Sequence, residues 1–279
     1  MPDILTKPSK PKIRLQINDG YRFVDSVVRE HKLNTVCEEA RCPNIYECWN
    51  RGTATIMILG DVCTRACGFC SVKTGKPVWE DLLEPVRTAM AVKRMRLRHV
   101  VITSVDRDDL KNDFGSSIWV ETINQVHKHV PGCTVEVLTP DFRGHSPALE
   151  KIFNAEPEIF SHNVECVERI SRQVRSQANW QRSLNVLRQS VEFGLRTKTG
   201  IMVGLGETFD ELVTTLREIR TVGVSIITIG QYLQPTKEHL PVQRYVSDDE
   251  FDTYKQLGLD MGFNVVESGP LVRSSYHAD

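Results

Sequence analysis

A parallel α/β fold is predicted for this 279-residue chain, and three features of its sequence predict it. Apolar runs of strand length alternate with helical segments, and strands separated by helices pair in parallel through crossover connections. About six such units follow one another over roughly 220 residues, which suggests a barrel, or part of one; periodicity alone also admits an open sheet. The composition, 40% hydrophobic and 25% charged, is that of an ordinary globular domain burying roughly 70–75% of its unfolded surface. In either architecture, ligands belong at the carboxyl ends of the strands.

Met1–Lys12 is polar, holds Pro2, Pro8 and Pro11, and reads as a loose arm. Gly20–His31 reads as a short helix with Phe23, Val24 and Val27 on one face. A cysteine-rich stretch spans Cys37–Cys70, and inside it Thr53–Leu59 (TATIMIL) suits a buried strand. A helix over Glu80–Leu97, a strand over His99–Val105, a helix over Ser116–Val130 and a strand over Thr134–Leu138 come next. A strand over Glu158–Val164 precedes helical stretches at Glu165–Ser176 and Gln181–Phe193, then a strand at Thr197–Val203. The helix Phe209–Val222 opens on a capping box, Thr208 with Glu211. After the strand Ser225–Tyr232, another helix opens on a second box, Ser247 with Glu250. Asn264–Glu267 reads as a short last strand. Three parts are therefore expected: an N-terminal cysteine-bearing extension (1–52), the β/α body (53–268) and a C-terminal segment (269–279).

Lys and Arg number 35 against 36 Asp and Glu, a net charge of -1. That disfavours whole-surface binding to nucleic acid, which wants a basic protein. No apolar run approaches the roughly 20 residues of a membrane span, and the arm lacks a signal- or transit-peptide pattern. A cytoplasmic protein with no membrane partner is expected.

Cysteine is the anomaly. Of eight, six lie between Cys37 and Cys70. Disulfide frameworks belong to small secreted domains without a core, so metal or cluster binding is the better reading here. Cys63, Cys67 and Cys70 are spaced C-x3-C-x2-C in CTRACGFC. Three thiolates on one loop can hold three corners of a cubic iron–sulfur cluster and leave one iron open, whereas a closed electron carrier takes four. Zinc would more typically show paired C-x2-C units with a partner pair further on. Cys37, Cys42 and Cys48 form a second triplet, C-x4-C-x5-C, again short of a fourth ligand. The remaining pair, Cys133 and Cys166, read as core filler.

The first triplet, with Phe69 before its last cysteine and its place after the first strand, resembles the signature of the radical S-adenosylmethionine superfamily. The second resembles the lipoyl synthase family specifically. That likeness runs on through VVITSVDRDDL (Val100–Leu110), TPDFRG (Thr139–Gly144), GIMVGLGE (Gly200–Glu207), TIGQYLQPT (Thr228–Thr236) and GPLVRSSYHA (Gly269–Ala278). It implies a partial (β/α)6-type TIM barrel, and insertion of two sulfur atoms at C6 and C8 of an octanoyl chain carried on a lysine. The implied carriers are lipoyl domains of 2-oxoacid dehydrogenases and the glycine-cleavage carrier protein; the implied electron donor is a ferredoxin or flavodoxin.

The resemblance implies two 4Fe-4S clusters and S-adenosylmethionine. The cluster on Cys63, Cys67 and Cys70 would chelate the methionine moiety and generate a 5′-deoxyadenosyl radical, chemistry that no side chain supplies. The cluster on Cys37, Cys42 and Cys48 would be the sulfur source, with Ser275 of RSSY as its fourth ligand and Ser274 as the alternative. A hard oxygen holds iron less firmly than thiolate does, which suits a cluster that is dismantled in use. Thr103 and Ser104, at a strand end, would meet the methionine end of the cofactor. Asn163 and Glu165 would meet its ribose or amino group, Arg175 its carboxylate, and the glycines of GIMVGLGE, Gly204 among them, would let the adenine approach the backbone. Each of these polar residues also reads plainly as a helix cap or strand end, and glycines also mark turns.

Two places depart from the family pattern. KNDFGSS (Lys111–Ser117) stands where a DGG segment is usual, and His145 where an aspartate is usual. Both are expected near the site's mouth, bearing on carrier preference or rate. The basic run Lys93, Arg94, Arg96 and Arg98 reads as a solvated helix end, with a docking patch for an acidic carrier as the alternative. Rival functions are a two-cluster methylthiotransferase-like enzyme, a non-catalytic iron–sulfur protein and a structural zinc protein.

Overall fold

The computed structural model describes residues 10–13, 16–78 and 81–275. The arm up to residue 9, the expected helix start at Glu80 and the motif residues Tyr276–Ala278 lie outside the described residues. The extension folds as helix α1 (Asp19–Glu30), strand β1 (Asn34–Thr35) and short helices α2 (Val36–Glu39) and α3 (Ile45–Asn50). Asn18 caps α1 by accepting from the Tyr21 N–H, and Thr35 caps α2 by accepting from Glu38. The buried stripe of α1 is Val24, Val27 and Val28, while Phe23, expected on it, is 40% exposed. An i, i+3, i+4 stripe faces inward, and Phe23 falls at its edge.

Strand β2 (Thr55–Ile58) opens the body and is followed by the two-residue strands β3 (Val62–Cys63) and β4 (Lys73–Thr74), which pair with each other. Then come α4 (Glu84–Met95), β5 (His99–Ser104), α5 (Ser116–His129), β6 (Thr134–Leu138) and α6 (Ser146–Asn154). β7 (Ile159–Ser161), α7 (Glu168–Val174), α8 (Trp180–Glu192), β8 (Thr197–Val203), α9 (Phe209–Thr221), β9 (Ile226–Gln231), α10 (Asp248–Asp260) and β10 (Val265–Gly269) complete it. Both expected capping boxes form, at Thr208–Glu211 and Ser247–Glu250.

Among the described residues the sheet runs β1-β2-β5-β6-β7-β8-β9-β10. It is parallel throughout except for β1, which lies antiparallel on β2. β1 and β10 are its edges, so the sheet is an open part-barrel. The fourth expected strand, Glu158–Val164, shrinks to β7 because the ladder lapses after Ser161 and is met again only by a single bridge from Glu165, in a left-handed conformation (φ 69°), to Ile201 of β8. The last strand is fuller than expected, matching β9 from Val265 to Gly269.

Alternation along the strands separates two interiors. Ile56, Ile58, Val100, Ile102, Val135 and Val137 face the helices in one apolar core, and Ile227 and Ile229 in another. The opposite face carries Thr55, Met57, Thr103, Gly200, Thr228 and Gly230, which line a cavity. Lower in the same interior, Lys198 Nζ sits 2.8 Å from the Glu136 carboxylate, both nearly fully buried. No helix among the described residues is long and apolar enough to cross a membrane. Lys93, Arg94, Arg96 and Arg98 are exposed where α4 runs into the amino end of β5, the end of the body away from the cavity.

Candidate active site

The cavity, about 490 Å³, lies at the carboxyl ends of the strands. Cys63, Cys67 and Cys70 line it, as do Cys37, Cys42, Phe69, Ser274 and Ser275. Cys48 is set back from the lining, yet close enough for Cys37 and Cys42 to raise its pKa. All eight cysteines are free thiols. Cys133 and Cys166 are buried in apolar clusters and do not line the cavity.

The first triplet sits on a loop tied down at several points. The Thr64 N–H donates to the Asp106 carbonyl (3.0 Å), Gly68 to the Val174 carbonyl (2.9 Å) and Gly75 to the Cys63 carbonyl (2.9 Å). Between the cysteines, Arg65 turns inward and is 5% exposed. Its guanidinium donates to Asp108 at 2.8 Å and to Asp141 at 2.7 Å, and pairs with Asp106 at 3.2 Å. Asp108 also meets Arg143 at 2.9 Å, and Asp141 meets Arg182 at 3.1 Å. Against the effect of burial, Arg65 holds the Asp141 carboxyl well below the usual carboxylate range. Burial pushes Asp106 up to about 6 in spite of the same cation.

Burial pushes the Cys63 thiol up to about 11 and Cys67 to about 12. In the second triplet it raises Cys37 to about 11 and Cys48 to about 12. Such thiols keep their protons at neutral pH until a metal displaces them. Among the described residues no three His, Cys, Asp or Glu side chains converge closely enough to grip one metal ion. Beside Cys37 the fully buried Trp49 indole N–H is directed at the Cys37 sulfur. A donor aimed at a cysteine sulfur fits a cluster whose thiolates accept hydrogen bonds.

The residues expected to hold S-adenosylmethionine gather on the same lining. The Thr103 hydroxyl donates to the Leu138 carbonyl and Ser104 to the Val105 carbonyl, both at 2.8 Å. Their oxygens are thereby left as acceptors, suited to an ammonium. Asn163 Oδ1 is a buried acceptor and Arg175 Nε a buried donor with no partner among the described residues. A Cβ at Gly200 would stand 2.8 Å from Asn163 Oδ1 and Thr228 Oγ1, so glycine there keeps the space open. Unmet acceptors, an unmet guanidinium donor and the half-buried Glu165 match a group carrying an ammonium, a carboxylate and hydroxyls.

Arg175 is itself held. Nη1 donates to the Asn163 carbonyl at 3.1 Å and to Ser183 Oγ at 3.2 Å. The His162 ring lies with Nδ1 2.9 Å from the Thr139 carbonyl and Nε2 3.0 Å from Ser183 Oγ. A carbonyl only accepts, so Nδ1 carries the proton and Nε2 accepts from Ser183.

Gly204 departs from its expected place. It is not on the lining, and at φ 91° a Cβ would stand 2.2 Å from Gln231 Nε2 and 2.5 Å from the Arg244 carbonyl. Glycine is required there by internal packing of the loop after β8. The two departures from the family pattern also sit beside the cavity rather than on it: Phe114 and His145 pack together with ring centroids 5.6 Å apart. Sequence reasoning passed over Arg65, Asp106, Asp141, Trp49 and Thr55. A charged residue inside the triplet, and three aspartates just past strand ends, were the signal for the first three; Trp49 and Thr55 offered none.

Comparison with known proteins agrees with this geometry. Residues 57–219 match the radical SAM superfamily. Lipoyl synthase of Rubrobacter xylanophilus is 57% identical over 274 residues, 98% of this chain and 85% of that protein. Lipoyl synthase of Flavobacterium psychrophilum is 53% identical over 98% of this chain and 94% of its own. A mitochondrial lipoyl synthase of Nematostella vectensis is 50% identical over the same shares. In fold, the chain is similar to methylornithine synthase (TM-score 0.56, 14% identity, 95% of this chain and 84% of that one). It is similar also to the hydrogenase maturase HydG (TM-score 0.56, 14% identity, 75% and 54%). With residues 57–219 matching the radical SAM superfamily and relatives 50–57% identical over 98% of its length, the chain belongs to the lipoyl synthase family of sulfur-inserting radical S-adenosylmethionine enzymes.

Proposed function

We propose that this chain inserts sulfur at C6 and C8 of an octanoyl chain carried on a lysine of a lipoyl carrier domain, drawing the sulfur from a second 4Fe-4S cluster. The observation that carries this reading is the meeting of both cysteine groups at one cavity, lined by Cys63, Cys67, Cys70, Cys37 and Cys42, with Cys48 close behind the last two. Cys63, Cys67 and Cys70 hold three irons of one cluster beside Phe69, and Cys37, Cys42, Cys48 and Ser275 hold the other. Thr103, Ser104, Asn163, Glu165 and Arg175 orient S-adenosylmethionine. Together the reduced cluster and S-adenosylmethionine supply hydrogen abstraction from an unactivated methylene, which no side chain provides. Arg65 keeps the first loop in place, and Val36, Met57, Val72, Leu138 and Val272 give the cavity an apolar wall that takes an octanoyl chain and excludes water. The three-part division into 1–52, 53–268 and 269–279 belongs to this reading, with the last part returning to the extension. So do a cytoplasmic location, a ferredoxin or flavodoxin as reductant, and the absence of nucleic acid and membrane from the partners.

An anaerobic single turnover with an octanoyl-lysyl peptide, read by mass spectrometry, tests it. The expected outcome is a peptide that gains two sulfurs as 5′-deoxyadenosine forms. Cys37→Ala/Cys42→Ala/Cys48→Ala should still form 5′-deoxyadenosine while adding no sulfur. Deoxyadenosine from the wild type with an unchanged peptide would overturn the substrate or the sulfur source.

A further inference from the structure

Resting on Ser275 as the fourth ligand of the second cluster, we infer that Thr55 is a positioning residue for that ligand, its hydroxyl proton holding Ser275 Oγ at the cysteine triplet. The two side chains meet across 220 residues of sequence, Thr55 Oγ1 donating to Ser275 Oγ at 2.8 Å. Thr55 opens β2 and is 7% exposed. Its backbone N–H faces the Cys37 sulfur. One residue thus touches both a cysteine of the triplet and the serine, and sets the separation between them. The segment leading to Ser275 is pinned independently: Asn44, two residues past Cys42, donates from Nδ2 to the Leu271 carbonyl at 2.7 Å.

The hydrogen bond works in one direction. A serine bound to iron is an alkoxide, and a bond donated to an anion is roughly twice as strong as one to a neutral hydroxyl. Thr55 therefore favours the bound form over the detached one. It also retains Ser275 nearby when the iron has gone. Threonine suits the task because its β-branch restricts χ1, so the strand fixes where the hydroxyl points. Of two adjacent serines, it is Ser275 that this donor selects.

The test uses the full chain with Cys63→Ala, Cys67→Ala and Cys70→Ala, so that only the second cluster loads when iron-57 and sulfide are added anaerobically. Release of the first iron to a ferrous chelator is timed, and Mössbauer spectra report whether one iron has an oxygen ligand. Unfolding of the metal-free proteins in urea is followed in parallel. Thr55→Val, which keeps the shape and loses the proton, should release its first iron about five- to tenfold faster, the worth of one hydrogen bond. Thr55→Ser should stay within about twofold of the parent, since it keeps that bond, and Ser275→Ala should be fast and lack the oxygen-ligated iron. If Ser275→Ala matches the parent, serine ligation itself fails. If Ser275→Ala is fast while Thr55→Val is not, only the positioning role fails. Thr55→Ser as fast as Thr55→Val, or a fast release that tracks a lower urea midpoint, also overturns the inference, because the hydrogen bond would not be the cause.

Discussion

His162 shows how much a single side chain can settle at this site. It is buried between Thr139 and Ser183, and burial pushes its pKa down to about 4 in spite of the nearby Asp141 carboxylate. Unfolded, the ring titrates near its ordinary value, so between the two pKa values the unfolded chain binds more protons and stability falls as pH drops. The full loss is roughly 3 kcal/mol, spread from about pH 6.5 to about pH 4. His162→Gln keeps an N–H for Thr139 and an acceptor for Ser183 but cannot titrate. In urea unfolding of the metal-free protein, the wild type should lose ground to His162→Gln as pH falls from 7 to 4.5; parallel curves would exclude a neutral buried histidine. None of this could be read from the sequence, where the eight histidines show no ligand spacing. The cysteines are the opposite case. Their spacing alone places six of them in two groups, because residues close together on one loop cannot be far apart in space.

Short-range elements were legible and their ends less so. The capping boxes at Thr208 and Ser247 marked helix starts because the chemistry sits within four residues. The fourth strand is shorter than its apolar run because the ladder lapses between Ser161 and the single bridge from Glu165 to Ile201, an interruption that apolar patterning does not register. The loop after β3 is the element whose stability matters most, since it joins a buried cation to three carboxylates from the turns beyond β5 and β6. Removing that cation leaves Asp106, Asp108 and Asp141 without their shared partner. Arg65→Met should cost about 3–5 kcal/mol in the metal-free protein and lower the iron loaded on Cys63, Cys67 and Cys70. Arg65→Lys keeps the charge but not the fork that bonds Asp108 and Asp141 at once, and should fall between. Urea midpoints and iron content check both; an Arg65→Met protein as stable as the parent would mean the carboxylates are solvated instead.

Across the whole molecule, the open sheet is crossed by the segment that carries Ser275. Where it passes β9, a Cβ on Gly230 would stand 2.2 Å from the Val272 carbonyl. Backbone cannot yield as a side-chain tip does, so Gly230→Ala should lift the segment. Faster amide exchange at residues 271–275, with little change in the helices, is the expected result; unchanged exchange there would show that the approach is not tight. The resemblance implied that the RSSY segment returns to the second triplet, but no sequence pattern announced its close approach to Gly230, which depends on where two distant stretches meet. The crossing also bears on how the protein is made. Thr55 and the second cysteine triplet leave the ribosome some 220 residues before Ser275, so the nascent chain passes through most of its synthesis with the three thiols but without that serine. Under the proposed serine ligation, iron reaching those thiols early would find an incomplete cage, and loading would have to follow release of the chain.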